Sequence, residues 1–112
     1  MNNTEITERS ARAIGLDPCG FWRGSAVECR GPDATTGVGD FFWWNPLGSG
    51  NDGMHLVKTL KLTVAPEPSR GGWSVGAVVK GEFKWLVHGD DAQRVVAEAA
   101  ASLPPASTPV YP

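Results

Sequence analysis

The segment Trp73-Ser74-Val75-Gly76-Ala77-Val78-Val79-Lys80-Gly81-Glu82-Phe83-Lys84-Trp85-Leu86-Val87-His88 decides the fold class. Its first half alternates with period two, which sets Trp73, Val75, Ala77 and Val79 on one face of an extended strand. Phe83, Trp85 and Val87 continue the alternation, with Glu82, Lys84 and His88 opposite. Two such runs predict an antiparallel hairpin over about 73–79 and 83–88. Register is the choice to be made. A two-residue turn at Lys80-Gly81 pairs Val79 with Glu82 and Ala77 with Lys84, which sets apolar against charged side chains. A three-residue loop, Lys80-Gly81-Glu82, pairs Val79 with Phe83, Ala77 with Trp85 and Val75 with Val87. A slip of one residue inverts a face, so the hydrophobic pattern favours the three-residue loop, although Gly81 then sits one position early for such a loop.

A helix over about 91–103 follows the hairpin. Ala92, Val95, Val96, Ala99, Ala100 and Leu103 form the strongest helical stripe in the chain, and its alanines let the helix lie close to the hairpin. Gly89-Asp90-Asp91 ends the strand and caps the helix, with Asp90 and Gln93 spaced as in a capping box, and Pro104-Pro105 stops it. Upstream, Gly48-Ser49-Gly50-Asn51 is a flexible connector, and Asn51 or Asp52 caps a second helix over about 52–62. Leu56 and Leu60 lie beside Met54, Val57 and Lys61 on it, while Leu62-Thr63-Val64 unwinds its end before Pro66-Glu67-Pro68. A first helix is predicted over 4–14, capped by Thr4, with Glu5 and Glu8 in its first turn and Ile6, Ala13 and Ile14 as its apolar stripe. Gly15 supplies a left-handed stop and Leu16 the hydrophobic contact after it.

Between these helices the pattern is broken. Pro18, Gly20, Gly24, Gly31, Pro32, Gly37 and Gly39 interrupt residues 17–39, with short strands suggested at Phe21-Trp22 and Ala26–Cys29. Asp40-Phe41-Phe42-Trp43-Trp44-Asn45-Pro46 then carries four consecutive aromatics, which favour an extended backbone. On a strand, Phe41 and Trp43 face one way and Phe42 and Trp44 the other. A strand buried on both faces accounts for them, and a chain this small has few other large side chains for a core. The binding alternative leaves part of the stretch exposed as an anchor, since Trp is enriched at interface hot spots. Phe42, Trp43, Trp44, Trp22 and Arg23 are the candidate partner-binding residues. The predicted fold is α+β: a small antiparallel sheet, the hairpin plus an aromatic strand near 41–44, packed on two or three helices. It forms one domain over 1–103, with a Pro- and Ser-containing flexible tail over 104–112.

Composition narrows the function classes. The 112 residues are 41% hydrophobic, with 10 Lys+Arg against 12 Asp+Glu and a net charge of −2. That balance argues against a dedicated nucleic-acid binder, which needs a basic face, and against a DNA mimic, which needs a large acidic excess. No apolar run is long enough for a membrane span, and no signal-peptide pattern is present, so a small soluble domain is expected. Cys19 and Cys29 are read as reduced thiols of a cytosolic protein, although one disulfide is geometrically possible. With His55 and His88 they lack the paired spacing of a zinc site, so no metal or cofactor is expected. Neither histidine lies in a nucleophile signature, Gly48-Ser49-Gly50 lacks the lysine of a phosphate loop, and helix capping accounts for Asp90-Asp91. Trp22 with Arg23 and Arg30 would stack on bases only weakly, given scattered cations. Catalysis is therefore the minority reading.

The segments together resemble the phage ABA sandwich domain, a family of small phage and prophage proteins. The resemblance covers about residues 41–103. It is carried by the aromatic stretch leading to Asn45-Pro46-Leu47-Gly48-Ser49-Gly50-Asn51-Asp52, by the helix Met54–Leu60, by Gly72-Trp73-Ser74-Val75 and by the Ala-rich segment from Ala92 to Leu103. The chain departs from the pattern where Gly48-Ser49-Gly50 separates Pro46 from Asp52, and where Gly89-Asp90-Asp91 replaces the usual apolar lead into the last helix. The resemblance implies a small accessory protein of the bacterial host cytoplasm, with no catalytic residues to carry over. It further implies binding to a host protein or complex, including inhibition of CRISPR–Cas or other antiviral systems. The alternatives are a virion structural or assembly protein, a reading that admits a homo-oligomer, and a small nucleic-acid-binding protein.

Overall fold

The computed structural model describes residues 1–30 and 41–105. Residues 31–39 of the broken stretch and most of the expected tail lie outside the described residues. Helix α1 (Asn3–Ala13) starts one residue earlier than predicted because Asn2, not Thr4, caps it: Asn2 Oδ1 accepts the Glu5 N–H at 2.8 Å. It stops as predicted. Gly15 takes φ 84°, and the N–H of buried Leu16 reaches back to the Ala11 carbonyl at 2.9 Å. Helix α2 (Gly50–Leu60) is capped by Ser49 instead of Asn51 or Asp52; the Asp52 carboxylate accepts the Asn45 N–H at 2.8 Å. Helix α3 (Ala92–Ser102) is capped by Asp91, which takes the N–H groups of Gln93 and Arg94. The expected Asp90–Gln93 box does not form. The Gln93 amide instead donates to the Pro46 carbonyl at 2.9 Å and ties α3 to the loop before α2.

Among the described residues, six strands form two separate antiparallel sheets. The first holds β1 (Asp17–Arg23), β2 (Ala26–Arg30) and β3 (Phe41–Trp44); the second holds β4 (Thr63–Pro66), β5 (Trp73–Val79) and β6 (Glu82–Gly89). The α+β class is as predicted, but the aromatic strand β3 does not join the hairpin. It pairs with β2, Val27 opposite Trp44 and Cys29 opposite Phe42. The third strand beside the hairpin is β4, drawn from the β-branched residues expected to unwind α2. Pro66 is tolerated there because it ends an edge strand.

Register in the hairpin differs from the predicted one. Lys80 (φ 52°) and Gly81 (φ 81°) are both left-handed, so the connection is the two-residue turn whose twist matches the strands. Val79 therefore pairs with Glu82, Val78 with Phe83, Ala77 with Lys84 and Gly76 with Trp85. A bulge at Leu86 then restores Val75 opposite Val87, the one predicted pair that forms. Turn chemistry wins over the apolar pattern because Glu82 and Lys84 lie at the exposed hairpin end. The consequence is that Phe83 and Trp85 leave the core face.

The helices lie between the sheets: α1 packs on β1, β2 and α3, and α3 packs on α2, β5 and β6. Leu16, Val27, Cys29, Trp44, Leu56 and Val75 share the main core with Val95, Val96, Ala99 and Ala100. Ala97 and Ala101, outside the predicted stripe, meet Ile6 in a second cluster. Small side chains on both faces of α3 allow it to serve two layers at once. No helix among the described residues is long and apolar enough to cross a membrane.

Candidate binding surfaces

The first sheet divides the five residues proposed from sequence. Trp44 is 1% exposed, and its indole N–H donates to Ser10 Oγ at 3.2 Å, whose hydroxyl donates to the Thr7 carbonyl. Its ring meets the His55 imidazole edge to face at 6.3 Å. Trp44 is thus a core residue, because the strand geometry that aims it inward also gives its one polar atom a partner. Trp43, its neighbour on β3, points the other way and is partly exposed, with the Arg23 guanidinium 5.4 Å from its ring centre. Phe42 and Trp22 are also partly exposed. Phe21, not singled out before, is exposed because β1 is irregular: Pro18 pairs with Cys29 and Trp22 with Val27, and Gly20 takes φ 85°. Four steps on β1 thus face two on β2, which turns Phe21 to solvent.

The second sheet carries a surface that includes Phe83 and Trp85, two aromatics the sequence pattern placed on the apolar face. Val78, Phe83 and Trp85 are 67%, 47% and 57% exposed. The two rings meet edge to face at 4.9 Å. They lie over Gly76, where a Cβ would come within 2.6 Å of the Phe83 ring and 3.0 Å of Trp85. Glycine is required at this position so that the aromatics can lie down on the strand. The signal that would have found the surface is Lys80-Gly81 itself, read as a mirror-image turn.

Beside Trp85, a cleft of about 240 Å³ is bordered by Glu67, Arg70, Ser74 and His88. Ser74 Oγ and His88 Nδ1 are 3.2 Å apart, a serine–histidine contact not expected from the sequence. The two are cross-strand partners in the hairpin, and Ser74 is buried, so the contact satisfies its hydroxyl. A hydrolytic triad also needs a group that orients the imidazole. Among the described residues no carboxylate bonds His88, and Glu67 Oε1 accepts the Ser69 hydroxyl at 2.8 Å.

Both cysteines are free thiols. Burial pushes Cys29 up to about 12, with the neighbouring Cys19 adding to the effect, and burial also raises Cys19, helped by Asp17. Neither is a thiolate at neutral pH, which makes both poor nucleophiles. Among the described residues no group of three or more His, Cys, Asp or Glu is placed to hold a metal ion. No family model, no curated protein and no solved structure matches the chain.

Proposed function

We propose that the chain is a non-catalytic binding protein that docks on a partner protein through the outer face of its second sheet. The observation that carries this reading is the exposed cluster of Val78, Phe83 and Trp85, whose two aromatic rings lie over Gly76 on the hairpin. Preorganised aromatics lose little entropy on docking, and Trp is the side chain most enriched at hot spots. Trp43 with Arg23 forms a second and weaker contact area.

The resemblance to phage ABA sandwich proteins supplies the biological setting of the proposal: an accessory protein in the bacterial host cytoplasm that inhibits an antiviral complex of the CRISPR–Cas kind. Wild type, Trp85→Ala and Trp43→Ala proteins, each checked for folding by circular dichroism, serve as bait in a host extract. Titration of the captured partner is expected to show at least about 30-fold weaker binding by Trp85→Ala, as for a hot-spot Trp. A smaller loss is expected for Trp43→Ala. Expression of the wild type is expected to raise phage plating on a host with an active CRISPR–Cas system. An undiminished affinity in Trp85→Ala overturns the docking surface, and unchanged plating overturns the inhibitory role. Concentration-dependent self-association abolished by Trp85→Ala reassigns the face to an assembly role.

A further inference from the structure

A cavity of about 440 Å³ opens at the start of α1, lined by Asn3, Thr4, Thr7, Trp22, Gly24 and Ser25. Its size falls within the range of small-molecule sites. The lining is chemically selective: one indole, four neutral hydrogen-bonding side chains, and no charged group. Helix geometry leaves the first N–H groups of α1 without intrahelical acceptors. Asn2 takes those of Glu5 and Ile6, so the N–H groups of Asn3 and Thr4 stay available at this end.

A second observation points to a ligand. Thr7 is 1% exposed and borders the cavity, yet its Oγ1 has no hydrogen-bond partner. Buried hydroxyls are nearly always paired, and an orphan in the wall of a cavity marks a place where a small rotation of the side chain lets a guest supply the missing bond. Asn3 and Ser25 are held in place. Asn3 Oδ1 accepts from the Arg94 guanidinium at 2.8 Å, which leaves the Asn3 amide N–H₂ to donate. The Ser25 hydroxyl donates to Asn45 Oδ1 at 3.1 Å, which leaves its oxygen free to accept.

We infer that this cavity binds a neutral pyranose sugar, either free or at the end of a glycan. A pyranose ring has an apolar face of C–H groups that packs on an indole, here Trp22. Its hydroxyls both donate and accept, which suits Asn3, Thr4, Thr7 and Ser25. An anion is disfavoured despite the helix start, because no cation lines the cavity and Arg94 is engaged by Asn3 Oδ1 and by Glu98 at 3.6 Å. The inference does not rest on the protein-docking proposal, whose residues Val78, Phe83 and Trp85 belong to the other sheet.

Titration of ¹⁵N-labelled protein with methyl glucoside, galactoside, mannoside and N-acetylglucosaminide, followed by the five Trp indole resonances, tests it. At least one glycoside is expected to shift the Trp22 resonance saturably and to leave that of Trp85 in place. Thr7→Val keeps side-chain shape and folding, and is expected to weaken binding by about tenfold, the cost of one lost hydrogen bond. Ser25→Ala is expected to act in the same direction. A β-linked disaccharide that binds more tightly than its monosaccharide identifies a glycan terminus; equal affinity identifies a free sugar. Absence of saturable shifts with all four glycosides overturns the inference, as does full affinity in Thr7→Val. A Trp22 shift produced by inorganic phosphate and by none of the sugars overturns it in favour of an anion site.

Discussion

The two sheets have three strands each and the same antiparallel pairing, yet they dispose of tryptophan in opposite ways. In the first, Trp44 is driven fully inside and its indole N–H is met by Ser10. In the second, Trp85 stands outside, opposite a glycine chosen to let it lie flat. Hydrophobicity cannot distinguish the two residues. What differs is the device that sets strand parity. In the first sheet the pairing of β2 with β3 is regular from Val27 to Arg30, and inward positions stay inward. In the second, a two-residue turn sets one register and a bulge at Leu86 shifts it back, so Phe83 and Trp85 are exposed while Val87 returns to its core-side register.

The sharpest way to break this contrast is to truncate both tryptophans. Trp44→Ala is expected to cost about 3–5 kcal/mol by denaturant unfolding, since it opens a core cavity and removes the hydrogen bond to Ser10 Oγ. Trp85→Ala is expected to change stability by less than about 0.5 kcal/mol, as exposed sites do. Similar losses at the two sites would contradict the exposure pattern.

Cys29 gives the next largest effect and belongs to the first sheet alone. Its thiol ionises at about 12 in the native protein against an ordinary value of 9.0. Between those values the unfolded chain has lost the proton that the native state keeps, so native binding of protons is greater and stability falls as pH rises. The contribution is complete below pH 9.0 and is lost on the way to about 12. Urea midpoints across that range are expected to fall less steeply in Cys29→Ala than in wild type. Parallel slopes would show that the interior of the first sheet admits the thiolate. Lys80→Asn gives the smallest effect and sharpens the comparison from the second sheet. Asn accepts the left-handed conformation more readily than Lys, so a gain of about 0.5 kcal/mol is expected in thermal or urea unfolding. A loss would mean that Lys80 contributes through its side chain and not through the turn.

Much of the architecture was legible. The stops at Gly15 and Pro104, the alternation of residues 73–79 and the stripe of α3 are local signals, carried by backbone freedom and periodicity. Caps were misplaced by one to three positions, because Asn2, Ser49 and Asp91 compete with equally suitable neighbours for one geometry. Strand β4 was illegible since four residues ending in proline resemble a frayed helix until β5 is beside them. Of the proposed surface residues, Trp43, Phe42, Trp22 and Arg23 do reach solvent and Trp44 does not. The serine–histidine contact and the orphaned Thr7 hydroxyl had no signal at all, because each arises from a neighbour, or from the lack of one, distant in the chain.

By itself, the sequence determined where chain direction changes and which segments are helical or extended, because those choices depend on residues within one turn or one strand. Tertiary structure alone decided that β3 pairs with β2 and that Trp85 faces outward. Pairing joins segments far apart in the chain, and a shift of a single residue exchanges the two faces of a strand. The free energies that set such a shift reside in turn twist and side-chain room, which no single strand contains.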